Sequence, residues 1–201
     1  MMRAWLVLVL TVLPAPAWAG SGFLYFMRPQ ETLMPVRAAL GFGSVDTMIR
    51  WTGCTTLTGG LTIMEYNRPN AGYGHDMNGH PRIFMTRALW EADLPDGYET
   101  LAYIFLHEAG HCLQDQRKEL DHVSSYLDIR RLEFDAEAFA HRCLTVLGWD
   151  ADGIMLRQRL WFAAYDGRDP EEETITHGSA ISISRWARAH DGLVRRVILA
   201  P

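Results

Sequence analysis

The sequence predicts an α+β fold in which a small, mostly antiparallel sheet packs on one long apolar helix, with additional helices C-terminal to it. Three observations predict it. Residues 101–113 form an apolar run of helical length, interrupted by His107, Glu108 and His111. Residues 47–51, 61–66 and 82–87 are rich in β-branched and aromatic side chains in alternating positions, which suits half-buried strands. Residues 125–148 open on a capping pattern and close on a glycine, which bounds a second long helix.

The 201 residues, 48% apolar and 21% charged, suit one globular domain with a sizeable core. In order, residues 1–19 read as a signal peptide. Arg3 is the positive start, a short apolar stretch of about ten residues is too brief to span a bilayer, and Ala17-Trp18-Ala19 offers small residues for cleavage. Residues 20–201 are then the mature domain, exported to the periplasm or the medium, with no membrane association beyond the leader. Without Arg3, 18 basic residues face 24 acidic ones, a balance of −6 that lacks the basic stripe nucleic acid would need.

Residues 20–43 give no clear element. Gly59-Gly60 would turn a hairpin between strands at 47–51 and 61–66. Residues 67–81, dense in Gly, Asn and Pro, read as a loop carrying His75 and His80, and residues 82–87 as one more strand. Asp96 with Glu99 has capping-box form, which sets the long helix at about residues 97–117. Ser125 with Asp128 caps the next, Gly148 ends it, and Leu132, Ala136, Phe139, Cys143 and Leu147 form its core stripe. Residues 154–165 suggest a covering helix; Asp169-Pro170-Glu171 resembles another helix start, and 182–190 a last short helix.

Cys54, Cys112 and Cys143 allow one disulfide and one spare thiol. Cys143 lies ten residues beyond Glu133 on the second helix, about 15 Å along it. If Glu133 reaches the first helix, that disfavours Cys112–Cys143, and Cys54 is expected to pair with one of the other two.

The chemistry is concentrated in His107-Glu108-Ala109-Gly110-His111. Histidines four apart lie one turn apart on one helix face and can share an ion. Glu108 points about 100° around the helix, where it can hold a water without ligating. Zinc hydrolysis uses this set: neutral imidazoles bind the ion and a carboxylate takes a proton from water. Such a centre wants three protein ligands and one open position. Residues 131–140 offer Glu133 and Glu137 four apart on one face, and Asp135 about 200° from Glu133. One glutamate could bind the ion while the other holds a histidine N–H. Tyr103, Tyr126, His141 and His177 are candidate oxyanion donors.

The His-Glu-Ala-Gly-His motif, followed by Glu133-Phe134-Asp135-Ala136-Glu137, resembles the gluzincin-type zinc metallopeptidases. Residues 83–90 and 133–140 are similar to ImmA/IrrE-type peptidases, and residues 174–186 resemble a segment of the M48 peptidases. The resemblance implies a zincin-like fold, Zn2+ as cofactor, His107, His111 and Glu133 as ligands, and Glu108 as catalytic base. It departs at Glu137, where the pattern has Asp or Asn, and at Gly178, where the M48 segment has Pro. The expectation is therefore an exported, monomeric zinc peptidase acting on a peptide or protein. The alternatives are a non-catalytic secreted module with a structural zinc, or a hydrolase that uses Asp135 as third ligand, as aspzincins do.

Overall fold

The computed structural model describes residues 24–25, 37–38, 40–57 and 61–166. The expected leader, the Gly59-Gly60 turn, His177 and the helices expected beyond residue 166 lie outside these residues. The fold is α+β. Four strands, β1 (Leu24–Tyr25), β2 (Leu61–Met64), β3 (Ala71–His75) and β4 (Pro81–Thr86), form one sheet in the order β1-β2-β4-β3. The helices are α1 (Val45–Thr52), the short α2 (Arg87–Trp90), α3 (Tyr98–Gln116), α4 (Tyr126–Val146) and α5 (Ala151–Tyr165).

The sheet is mixed, where a mostly antiparallel one was expected. Its outer pairings are antiparallel, but the central β2/β4 pairing is parallel, Leu61 opposite Ile83. The cause is β3. Residues 71–75 were expected to be loop, yet they form a strand on the far side of β4, so β2 and β4 become neighbours running the same way. The glycines that suggested a loop have a packing reason: Gly72 lies opposite Phe84, and a Cβ on Gly74 would already touch the Phe84 ring at 3.4 Å. Bare backbone on the outer strand lets that ring lie across it.

The other correction is α1, where residues 47–51 were expected to be a strand. Ser44 caps it by accepting from the Thr47 N–H at 3.1 Å, and Gly53, in the left-handed region at φ 76°, closes it by donating to Arg50 C=O. Met48 and Thr52, four apart, are both buried. Two caps and a helical burial period outweigh the strand preference of Thr47, Ile49 and Trp51.

The helix expected at 97–117 runs from 98 to 116, but not from an Asp96 cap. Gly97 precedes it with no side-chain cap, Asp96 has φ 60°, and the Asp96 carboxylate accepts from Arg157 of α5 at 2.6 Å. Thr100 to Cys112 of α3 are buried without a break, so this helix runs through the core between the sheet and α4 and α5. The Ser125–Asp128 capping box starts α4 as expected, and Gly148 at φ 79° ends it. Of its expected stripe, Leu132, Ala136, Phe139 and Cys143 are buried, and Leu147 packs against the core half-buried. The covering helix is α5, which starts at Ala151, three residues before the expected Ile154, with Asp150 as its cap. Cys54 and Cys112 form the disulfide, Cα atoms 5.8 Å apart, and Cys143 is a buried free thiol. No helix among the described residues is long and apolar enough to cross a membrane.

Candidate metal centre

Helices α3 and α4 cross at Gly110 and Ala136. A Cβ built on Gly110 would lie 2.9 Å from the Ala136 Cα. This contact falls between the two histidines on one helix and between Glu133 and Glu137 on the other. The carboxylate of Glu133 therefore arrives directly over the imidazoles.

The three expected ligand residues come together. His107 Nε2 and His111 Nε2 are 3.2 Å apart, and Glu133 places one oxygen 3.4 Å from His107 Nε2 and the other 3.3 Å from His111 Nε2. Among the described residues, these three form the group whose ligand atoms all lie within 4.8 Å of one another. Tetrahedral bonds of about 2.0–2.1 Å to zinc require ligand atoms about 3.3–3.4 Å apart. The two imidazole nitrogens are spaced close to what a small tetrahedral cation needs, and the Glu133 carboxylate turns one oxygen toward each of them.

Charge balance fits the same ion. Glu108, Glu133 and Glu137 are 3%, 0% and 0% exposed, and one guanidinium, Arg159 of α5, meets Glu137. With neutral histidines, three carboxylates and one guanidinium leave two negative charges in the core, which a dication would cancel. Buried charge without such compensation is costly.

The surrounding side chains fix the imidazoles. Gln114 donates through its amide nitrogen to the Leu132 carbonyl at 2.7 Å, so its Oε1 faces His111 Nδ1 at 2.8 Å and must accept from it. In neutral His111 the lone pair is then on Nε2, aimed at Glu133 and His107. Glu137 lies 3.6 Å from His107 Nδ1, the other nitrogen of that ring. Glu133 thus faces both Nε2 atoms and Glu137 the far nitrogen of His107, while Asp135, half-buried, is outside the group.

Burial drives His107 down to about 3, with the Glu133 hydrogen bond opposing it. Burial also opposes charge on His111, but Glu133, by charge and hydrogen bond, with Glu108 and Gln114, carries it up to about 9. Without an ion, His111 is where a proton would sit. Burial pushes Glu108 up to about 7, with the positive side of His111 pulling the other way. Burial drives Glu137 well above the carboxylate range, and the Arg159 guanidinium is the group that can hold it ionised.

Strand β3 runs beside this centre. The Tyr73 backbone lies against the Glu108 carboxylate and favours its charged form. The Tyr73 hydroxyl donates to Asp115 at 2.7 Å, and His75 Nε2 stands 3.2 Å from the same oxygen. Burial, then Asp115, raises the Tyr73 hydroxyl well beyond its usual range, so it stays a donor. No substrate strand could add to β4 (residues 81–86), which is paired on both sides; β3 is the outermost described strand next to α3. Asn70 and Asp76 bond to the β4 side, which turns the backbone groups of Ala71, Tyr73 and His75 outward.

Of the oxyanion candidates, Tyr126 is 70% exposed at the start of α4, and His141 is held by Asp152 at 3.2 Å. The Tyr103 hydroxyl is buried with no hydrogen-bond partner. Gln114, Arg159, Tyr73 and Asp115 were missed from sequence. Gln114 alone had a local signal, one helical turn past His111. No family model, no curated protein and no solved structure matches the chain.

Proposed function

We propose that the chain is an exported zinc-dependent peptidase of the gluzincin type, with His107, His111 and Glu133 as metal ligands and Glu108 as general base. The observation that carries this reading is the convergence of three buried donors: the two imidazole Nε2 atoms lie 3.2 Å apart, and each faces one oxygen of the Glu133 carboxylate, at 3.4 and 3.3 Å, with Glu108 beside them on the same helix. Two imidazoles and one carboxylate are a donor set that zinc favours, whereas magnesium and calcium favour oxygen alone. The Cys54–Cys112 disulfide supports an oxidising compartment.

A zinc ion there would supply Lewis acidity toward a peptide carbonyl and toward water. Glu108 takes a proton from the attacking water and hands it to the leaving amine. Burial raises the Glu108 carboxyl, which makes it a better acceptor for the water's proton than an exposed carboxylate would be. Gln114 and Glu137 hold the two rings so that their ligating nitrogens stay on one point. The outward backbone groups of β3 suit an extended peptide added as a further strand.

The test uses the mature protein, whose mass should place its N-terminus near Gly20. It should carry about one zinc per chain and cut an unbiased peptide library in a chelator-sensitive way. Glu108→Gln should keep the zinc and lose at least about a hundredfold in turnover. Undiminished turnover would remove Glu108 from its role. The 3% exposure of Glu108 favours one competing reading, a non-catalytic module whose ion pins α3 to α4. Bound zinc with no cleavage of any peptide would select it.

A further inference from the structure

We propose that Gly110 is a positioning residue that sets metal affinity, because its missing side chain fixes the distance between α3 and α4 at which Glu133 can complete the ligand set. The inference rests on the metal-binding reading above and deepens it. The two small residues inside the His107–His111 turn, Ala109 and Gly110, are not equivalent. Ala109 is fully buried in the hydrophobic core and has its methyl accommodated there. Gly110 faces α4, where an added Cβ would meet the Ala136 Cα at 2.9 Å, its Cβ at 3.1 Å and its carbonyl oxygen at 3.4 Å.

Two of these contacts are backbone atoms, which cannot rotate aside as a flexible side chain could. Carbon atoms pack at about 3.5–4.0 Å, so a methyl at 110 asks the helices to part by roughly 0.6–1 Å. Metal–ligand bonds tolerate only about ±0.2 Å. Glu133 precedes Ala136 by about one turn of α4, so the parting is transmitted to the ligand oxygen. Helix propensity works in the opposite direction, since alanine favours the helix over glycine. A loss of affinity in Gly110→Ala therefore cannot be assigned to weakening of α3 itself.

The experiment measures zinc affinity by competition with a chelating indicator, together with the visible spectrum of the cobalt-substituted protein. Wild type is titrated first; failure to bind zinc or cobalt would sink the metal reading itself. Given wild-type binding, Gly110→Ala should weaken zinc at least about tenfold and alter the tetrahedral cobalt band, while Ala109→Gly leaves both near wild type. Gly110→Ser, with a larger side chain at the same contact, should weaken zinc further. Adding Ala136→Gly to Gly110→Ala removes only the 3.1 Å contact and leaves the Cα at 2.9 Å, so it should recover part of the affinity at most. Wild-type affinity in Gly110→Ala overturns the proposal, as does an equal loss in Ala109→Gly. If Gly110→Ala alone does not fold, the double variant decides: weakened zinc with an altered cobalt band supports the proposal, and wild-type affinity or a chain that still does not fold overturns it.

Discussion

His111 can present only one ring nitrogen to an ion, because Gln114 occupies the other at 2.8 Å and is itself anchored to Leu132. That geometry makes ion and proton competitors for Nε2. The metal-free His111 is raised to about 9, chiefly by Glu133 against the opposing effect of burial. A group with a raised pKa holds its proton below that value, so zinc must displace it throughout the neutral range. Apparent zinc affinity should therefore fall about tenfold per pH unit below about 9 and level off above it. Calorimetry in two buffers of different ionisation enthalpy should show at least about one proton released per zinc at pH 7. No release would mean that His111 is neutral before the ion arrives. That His107 and His111 would stand together was legible in the sequence, because their spacing encodes a shared helix face. The choice among Glu133, Asp135 and Glu137 was not, since it depends on how α4 is rotated as it crosses α3. Gly110 and Ala136 set that crossing, and no one-dimensional pattern shows their contact.

At the scale of elements, legibility followed whether a segment's signal was local. The Ser125–Asp128 box and Gly148 bounded α4 correctly because both act within a turn of the helix end. Strand β3 was hidden because its glycines serve Phe84 on another strand, and α1 was misread because its residues favour a strand while Ser44 and Gly53 enforce a helix. The expected Asp96 cap failed for a tertiary reason, since Arg157 of α5 takes that carboxylate. The same helix sends Arg159 to Glu137, which is wholly buried, so α5 is tied at two points to the elements that build the centre. Removing the guanidinium strands a buried carboxylate. Arg159→Met should cost about 3–5 kcal/mol in urea-induced unfolding, and Glu137→Gln in that background should recover much of it. An Arg159→Met chain as stable as wild type would show that α5 is not held through this pair.

Over the whole molecule, two constraints meet at neighbouring residues of α3. The disulfide joins Cys54 to Cys112 across a separation of 58 residues, enclosing β2, β3, β4 and the first part of α3. The candidate ion would join His111, the preceding residue, to Glu133 on α4. The first limits the unfolded chain before Cys112 and the second draws in the chain after it, so neither duplicates the other. A loop of this length implies about 4 kcal/mol from restricted unfolded-state entropy. An ion at a hundred times its dissociation constant adds about 2.7 kcal/mol. The contact of Gly110, inside the disulfide loop, with Ala136, outside it, is made by the packing of α3 on α4 and not by the bridge, so the ligand group should keep its arrangement without the disulfide. Replacing Cys54 and Cys112 together by serine should thus lower stability by about 2–4 kcal/mol in urea while leaving one zinc per chain bound at near wild-type affinity. If stability falls and zinc is lost with it, the bridge holds the centre in shape, and the helix crossing alone is insufficient.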